Sequence, residues 1–275
     1  MTKSILITGC SSGIGYACAH ALHAKGYQVI ASCRSQTDVK KLQDEGLTCI
    51  QLDVNSVDSI EQAVKEVLTL TDSKLDVLFN NAAYGQAGAL EDLPTQALRE
   101  QFETNVFGWH HLVNAILPSM RNNNSGRIIQ NSSVLGFAAM RYRGAYNASK
   151  FALEGWTDTL RLELMDTNIH LSLIQPGPIE TQFRKNALMK FRQWINIETS
   201  AHRQQYLLQV ERLSSKSSGN DFTLPADAIV APLLHAIESD NPKVRYPVTT
   251  PTKVFAVLKR ILPTKLLDHI LLKAG

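Results

Sequence analysis

The sequence predicts an α/β fold, a doubly wound parallel sheet with helices on both faces, and three observations lead there. Apolar runs of strand length recur at regular intervals, amphipathic segments of helix length separate them, and a glycine-rich turn follows the first run directly. Strand alternating with helix is the pattern of parallel strands joined by crossover helices. A chain of 275 residues fits one domain whose core buries most of its apolar surface.

In chain order, strands are expected at Ile5-Leu6-Ile7, Val29-Ile30-Ala31, Cys49-Ile50-Gln51-Leu52, Asp76-Val77-Leu78-Phe79, Arg127-Ile128-Ile129 and His170-Leu171-Ser172-Leu173-Ile174. Between them Ala17, Ala21 and Leu22, then Ile60, Val64, Val67 and Leu68, fall on helical spacing, so the intervening helices bury one face. Ser35-Gln36-Thr37-Asp38 has the makeup of a helix start, and Asn55 and Ser56 can cap the helix after the third strand. Asn122-Asn123-Asn124-Ser125-Gly126 reads as the loop that ends one helix. The rhythm breaks after Pro176-Gly177-Pro178: residues 183 to 216 look helical and rich in aromatics, followed by Ser217-Ser218-Gly219-Asn220. No repeat, low-complexity tract or linker divides the chain. A single domain is therefore expected over residues 1–275, with the core over 1–182, an inserted helical segment over 183–224, and a helix, the last strand and an amphipathic tail over 225–275.

Hydrophobic residues at 44% with 19% charged place the chain among soluble globular proteins, and a net charge of +3 is too small for a nucleic-acid footprint. The four cysteines, Cys10, Cys18, Cys33 and Cys49, lack the close spacing of a redox or zinc motif and read as reduced thiols, with no metal site expected. Met1-Thr2-Lys3-Ser4 leads straight into an apolar strand, without room for a signal peptide. No apolar run approaches the roughly 20 residues of a membrane span. The expected location is the cytoplasm.

Thr8-Gly9-Cys10-Ser11-Ser12-Gly13-Ile14-Gly15 joins the first strand to the first helix. Backbone approaches a pyrophosphate only where side chains are absent, and a helix start offers unpaired N–H groups and the positive end of a dipole. The spacing departs from G-x-G-x-x-G, and a glycine turn alone is also a tight connection. Its place in a βαβ unit is what points to a dinucleotide, with Gly9, Ser11, Ser12, Gly13, Ile14 and Gly15 as the candidate cradle. An acid at the end of the second strand would take a ribose hydroxyl, and an arginine there a 2′-phosphate. The strand ends Ser32-Cys33-Arg34, so NADP(H) is favoured, through the fork of Arg34 with Ser11 as a second contact. Asp38, the nearest acid, falls in the next helix start. Asp53 and Val54 at the end of the third strand, and Asn80 and Ala82 at the end of the fourth, stand where an adenine pocket is walled, although strand-end polar residues also cap helices.

Of the seven tyrosines only Tyr146 has a lysine four residues later, Lys150, and on a helix that spacing shares a face. A phenol is a poor proton exchanger at neutral pH, and a neighbouring ammonium favours its phenolate. Alone the pair is weak, since one aromatic and one lysine on a helix face are common. It gains weight from Arg127-Ile128-Ile129-Gln130-Asn131-Ser132-Ser133, a strand whose small polar end can aim a hydroxyl at the same place.

With these motifs in order, the chain resembles a short-chain dehydrogenase/reductase of Rossmann type over nearly its whole length. The glycine turn, Asp53-Val54, Asn80-Asn81-Ala82, Asn105, Ser133, Tyr146-x-x-x-Lys150 and Pro176-Gly177-x-x-x-Thr181 carry the resemblance. It implies Tyr146 as general acid and base, and Lys150 as the group that lowers its pKa and binds the nicotinamide ribose. It further implies Ser133 as the holder of the substrate carbonyl and Asn105 as the support of a relay water. Pro176, Ile179 and Thr181 would hold the nicotinamide. Ser133 rather than Ser132 is chosen because the family pattern sets the serine thirteen positions before the tyrosine. Ala83 stands where the family often has glycine, and Asn105 also reads as a structural helix residue.

The glycine turn, Ala31-Ser32-Cys33-Arg34 and Pro176 to Phe183 are most similar to the branch of 17β-hydroxysteroid and retinol dehydrogenases and bacterial aldehyde reductases, which implies an apolar carbonyl or alcohol substrate. Phe183, Leu188, Met189, Phe191, Trp194 and Ile195 suit a lid over the nicotinamide and equally suit a core. The apolar and basic stretch from Val254 to Lys273 fits a membrane surface, but packing on the substrate rim or a partner subunit is favoured by its Pro263 break and modest charge. His110 and His111 read as packing residues. A nucleotide-sensing protein without chemistry, the competing function, predicts loss of Tyr146 or Lys150, and both are present. An epimerase or dehydratase predicts a different glycine spacing and a longer substrate part.

Overall fold

The computed structural model describes residues 2–215 and 221–274; the loop expected at Ser217-Ser218-Gly219-Asn220, like residue 216, lies outside them. Seven parallel strands form one sheet: β1 (Ser4–Ile7), β2 (Gln28–Cys33), β3 (Thr48–Gln51), β4 (Val77–Asn80), β5 (Gly126–Asn131), β6 (Ile169–Gln175) and β7 (Arg245–Pro247). Their order is β3-β2-β1-β4-β5-β6-β7. The helices are α1 (Gly13–Ala24), α2 (Gln36–Asp44), α3 (Val57–Leu70), α4 (Thr95–Phe102), α5 (Gly108–Asn122), α6 (Gly144–Glu163), α7 (Phe183–Trp194), α8 (Arg203–Ser214), α9 (Val230–Glu238), α10 (Thr250–Ile261) and α11 (Thr264–Ala274).

The doubly wound arrangement follows from the period of two along each strand. Ile5 and Ile7 face one side with Val29, Cys18, Leu22, Val39, Leu42, Leu233 and Ile237, the layer of α1, α2 and α9. Leu6 faces the other with Ile30, Ile60, Val64, Val67, Leu112 and Ile116, the layer of α3 and α5. Strands buried on both faces read as continuous apolar runs, which is why the first six were visible in the sequence. Direction of travel reverses between β1 and β4, and a ligand crevice opens beyond the carboxyl ends of strands at such a switch.

Asp76, expected inside the fourth strand, lies just before it. Its carboxylate accepts from the Ser4 backbone N–H at 2.8 Å and from the Ser4 hydroxyl at 3.1 Å, tying β1 to β4 at the end away from the crevice. Ser35 and Ser56 are the N-caps of α2 and α3. The four cysteines are free and buried, and the Cys49 thiol lies 4.0 Å from that of Cys33 on the adjacent strand, a proximity that sequence spacing did not reveal.

The C-terminal tail folds back on the protein. Phe255 of α10 and Leu267 and Leu271 of α11 join Val134, Leu135, Ala138 and Tyr146 in one buried cluster. The inserted segment packs its Phe191, Ile195 and Tyr206 with Ala89 in another. Among the described residues no helix is long and apolar enough to cross a membrane, and no group of three metal-ligating side chains occurs.

Candidate active site

At the crevice, the glycine turn is shaped by space. Gly9 has φ +72° and Gly13 φ +60°, the left-handed region that side chains disfavour. A Cβ on Gly9 would stand 2.8 Å from Ala82 Cα, and one on Gly15 would stand 2.4 Å from the Gly9 carbonyl oxygen. Thr8 and Asn81 set the approach of turn and β4: the Thr8 hydroxyl accepts from the N–H groups of Asn81 and Ala82 at 2.8 and 2.9 Å, and Asn81 Nδ2 donates to the Thr8 carbonyl at 2.9 Å. Ser12, the N-cap of α1, makes no side-chain cap bond and the first turn holds no acid, so the helix start presents its amides outward. Ser11 and Ser12 are exposed, Ile14 half-buried.

Arg34 follows the last residue of β2 and its side chain is exposed, while its carbonyl is held by Gln51 Nε2 at 3.0 Å. Asp38 takes part in the cap of α2: its carboxylate accepts from the Ser35 hydroxyl at 2.8 Å and its N–H donates back to Ser35. Asp53 Oδ1 accepts from the Asn55 N–H at 3.0 Å, leaving its second oxygen at the crevice edge beside buried Val54. Asn80 is wholly buried and both polar atoms of its amide lack a protein partner.

The chemical end is built by α6, β5 and an irregular helix. A π-helical turn, Glu103–Phe107, joins α4 to α5 and carries Asn105 inward; such bulges recur at functional sites. Asn105 Oδ1 accepts from the Tyr84 N–H at 3.3 Å, and its Nδ2 donates to the Tyr84 carbonyl and the Ser149 hydroxyl, each at 3.1 Å. It thus clamps the loop after β4 to α6. Lys150, only 1% exposed, donates to the Asn131 carbonyl at 2.7 Å and lies 4.4 Å from the Trp109 ring centroid and 5.8 Å from that of Tyr146. Trp109 is itself fixed by donating to the Ala82 carbonyl at 2.8 Å. Ser133 starts the 3₁₀ turn Val134–Gly136, its oxygen accepting from the Leu135 N–H at 3.1 Å while its hydroxyl group bonds the Tyr146 phenol. Beyond β6, Pro176 accepts from the Val134 N–H at 2.8 Å, Ile179 bridges to Leu224, and the Thr181 hydroxyl accepts from the Phe183 N–H at 3.2 Å. The side chain of Thr181 closes over Gly13, so both ends of the crevice meet there.

Charge in this pocket is governed by burial. Burial pushes the Tyr146 phenol up to about 12, against the downward pull of Ser133 and Arg143. It draws Lys150 down to about 7, against the opposing carboxylate of Glu154. The lowering of the phenol by Lys150 that helical spacing suggests is not what governs Tyr146 here: desolvation dominates both groups, and the downward pulls on the phenol come from Ser133 and Arg143.

The structure brings together residues that spacing did not single out. Glu154, one turn beyond Lys150, accepts from the Ser132 hydroxyl at 2.5 Å, Gln175 Nε2 at 2.9 Å and Arg245 Nε at 3.0 Å, joining α6 to the ends of β5, β6 and β7. Phe183 meets the Tyr146 ring edge-on at 5.3 Å and covers Gly85. Phe191 and Ile195 instead pack inside the insertion's own core, so the aromatic stripe divides between site wall and core. His110 contacts Trp156 and Asn114 on the helix surface.

Compared with known proteins, residues 3–190 match the family model described as short chain dehydrogenase. An uncharacterised oxidoreductase, YbbO, of Escherichia coli (strain K12) is 41% identical over 271 residues, spanning 98% of this chain and 94% of that one. Human retinol dehydrogenase 8 is 40% identical over 196 residues, 68% of this chain and 62% of its own length, in keeping with the branch that the motifs resemble. A short-chain dehydrogenase/reductase from Burkholderia phymatum, solved in complex with NAD, superposes with a TM-score of 0.79 at 25% identity, covering 94% of this chain and 92% of that one.

Proposed function

This chain belongs to the short-chain dehydrogenase/reductase family, and on that premise we propose that it is an NADP(H)-dependent oxidoreductase. It reduces an apolar aldehyde or ketone, or oxidises the matching alcohol, with Tyr146 as general acid and base. The observation that supports this most is the meeting of Tyr146, Ser133 and Lys150 in one buried place.

The turn fits a dinucleotide because its glycines leave room that a Cβ would close. Gly9, Ser11, Ser12, Gly13, Ile14 and Gly15 would take the pyrophosphate, Asp53, Val54, Asn80 and Ala82 the adenine, and Pro176, Ile179 and Thr181 the nicotinamide end. Asn80 would contribute through backbone, its amide being sealed from the crevice. Arg34 would pair with a 2′-phosphate, a role left to it by Asp38, whose carboxylate is engaged in capping. The bound cofactor supplies a hydride to the carbonyl carbon. As negative charge grows on the carbonyl oxygen, Ser133 and Tyr146 donate to it, and the phenol gives up its proton there. The preference for a 2′-phosphate that Arg34 would confer makes reduction the favoured direction. Lys150 would orient the ribose and meet the developing phenolate, and Asn105 would hold the water that returns a proton to the site.

Absorbance of NADPH in the presence of aldehydes, retinoids, steroids and quinones tests the reading. Oxidation with one apolar class is expected. Tight NADPH binding with no turnover across the whole panel would instead favour a nucleotide-sensing protein.

A further inference from the structure

The ring of Phe183 is seated against the Tyr146 phenol in a socket that a missing side chain leaves open. Its centroid lies 5.3 Å from that of Tyr146, the two rings meeting edge-on. A Cβ on Gly85 would stand 2.6 Å from Phe183 Cζ, 2.9 Å from its Cε1 and 3.6 Å from Tyr146 Cδ2. The first two separations are closer than side-chain carbons tolerate, so only glycine at position 85 lets the ring tip reach this place.

Both partners of the contact are held. The segment under the ring, Tyr84-Gly85-Gln86, is tied by two fully buried amides. Asn105 bonds both backbone groups of Tyr84. Gln101 accepts from the Gln86 N–H at 2.6 Å and donates to the Tyr84 carbonyl at 2.9 Å. The helix that carries the ring, α7, is tied to the same loop and to α4: Gln86 Nε2 donates to the Lys190 carbonyl at 3.3 Å, and Lys190 Nζ pairs with Glu100 at 3.0 Å. At the start of α7 the Phe183 N–H donates to the Thr181 hydroxyl at 3.2 Å. Moving α7 away would break these bonds, and turning the ring by itself would empty the socket. Interiors packed to this density have no spare room for an added methyl group.

Little of the reacting surface is left open beside the ring. Tyr146 is 9% exposed and Ser133 8%, and Val134, Leu135, Leu267 and Leu271 share the buried cluster of Tyr146.

We propose that Phe183, seated on Gly85, is a specificity-determining residue that restricts the substrate to an aldehyde, or to a primary alcohol in the reverse direction. A carbonyl whose oxygen receives from both Ser133 and Tyr146 sets its two substituents in one plane, diverging to opposite sides of the carbon. One of them faces the Phe183 ring, where the filled socket leaves room for a hydrogen only. The other carries the apolar chain outward. The inference deepens the reductase reading and rests on it for the carbonyl.

Its test follows decanal and methyl octyl ketone as substrates with NADPH. An aldehyde is the better hydride acceptor by its own chemistry, so the readout is the change in the ratio of the two kcat/KM values between variants. Phe183→Ala should lower the preference for decanal by about tenfold or more, the range for one methyl group in a closed apolar pocket, chiefly by raising kcat/KM for the ketone. Phe183→Leu should lie between. Gly85→Ala added to Phe183→Ala puts a methyl group back into the socket and should recover part of the preference. A ratio unchanged in Phe183→Ala, whether both substrates gain or neither does, overturns the stop. A second measurement needs no turnover: the primary alcohol decanol, but not the secondary alcohol methyl octyl carbinol, should raise the Tm of the NADP-loaded protein, and Phe183→Ala should accept both. If neither carbonyl is reduced yet the two alcohols are separated through Phe183, the stop stands and the reductase reading falls; equal shifts in the wild type, or none, overturn the stop.

Discussion

Glu154 receives the hydroxyl of Ser132 at 2.5 Å, one residue ahead of the serine that bonds Tyr146. The same carboxylate holds Gln175, just before Pro176, and Arg245 on β7. A Cβ on Gly136 would stand 2.7 Å from Ser132 Oγ and 3.0 Å from Glu154 Cγ, so the 3₁₀ turn after Ser133 is packed against this carboxylate. Glu154 thus ties the carboxyl ends of β5 and β6 to the first residue of β7, which suits it to position the serine beside Tyr146.

Glu154→Ala leaves Arg245 and Ser132 without their shared acceptor. Removing one partner of a buried pair costs about 3–5 kcal/mol, and because Arg245 is about a third exposed the lower end, about 3 kcal/mol, is expected in urea unfolding. Glu154→Gln keeps the shape and should lose less. The variant still folded should show a fall in kcat with little change in KM, since Ser133 would be misplaced rather than removed. Unchanged stability in Glu154→Ala would show that the network is incidental.

Tyr146→Phe removes the phenol while leaving the ring against Phe183 and the cluster with Leu267. General acid catalysis is worth about 10²–10⁴-fold, so NADPH oxidation should fall by at least that range while NADPH still quenches tryptophan fluorescence. Retained turnover would refute Tyr146 as the proton donor.

The first six strands were legible because burial on both faces writes a plain apolar run, and the glycine turn was legible because backbone contact leaves no alternative to glycine. β7 had no such mark: Arg245-Tyr246-Pro247 is a short edge strand whose register comes from pairing with β6. Glu154 was equally hidden, since a glutamate four residues after a lysine looks like a solvated helix pair. Only the packing of α6 on β5 turns it inward. The inward turn of Asn105 depends on contacts with Tyr84 and Ser149, far from it in sequence, which no local period records.

Arg34→Ala tests the choice of dinucleotide. A lost pairing with a 2′-phosphate should weaken NADPH by about tenfold or more and NADH hardly at all, measured as dissociation constants at one salt concentration. Equal losses for the two cofactors would place Arg34 outside the 2′ position.

Lys150 gives a stability signature that needs no substrate. Its value falls from the ordinary 10.5 to about 7 on folding. Between those values the unfolded chain binds more protons than the folded one, so stability rises with pH through that window. The cost of burying the ammonium is full below about pH 7 and gone above the unfolded value. Lys150→Met never bears this cost, so its Tm advantage over the wild type should be greatest near pH 6.5 and shrink by pH 9.5. A difference independent of pH would mean that the ammonium is solvated in the folded protein.

The tail makes the last prediction. Leu267 and Leu271 of α11 cover Tyr146, Val134 and Leu135, so the face of the tail that is apolar toward the protein is already occupied by the site rim. Deleting residues 264–275 uncovers that cluster, and burial is worth about 25 cal/mol per Å² of apolar surface. A lower Tm and a raised KM for an apolar carbonyl are expected, with NADPH affinity kept because the glycine turn lies at the other end of the crevice. Val257 and Ile261, at 56% and 66% exposure, lie on the outer side of α10; α10 remains in this truncation, which separates the two faces. Liposome co-sedimentation of the full chain and of a deletion of residues 254–275 reads the outer face: both are expected in the supernatant, and sedimentation of the full chain alone would overturn a tail that serves the protein's own site.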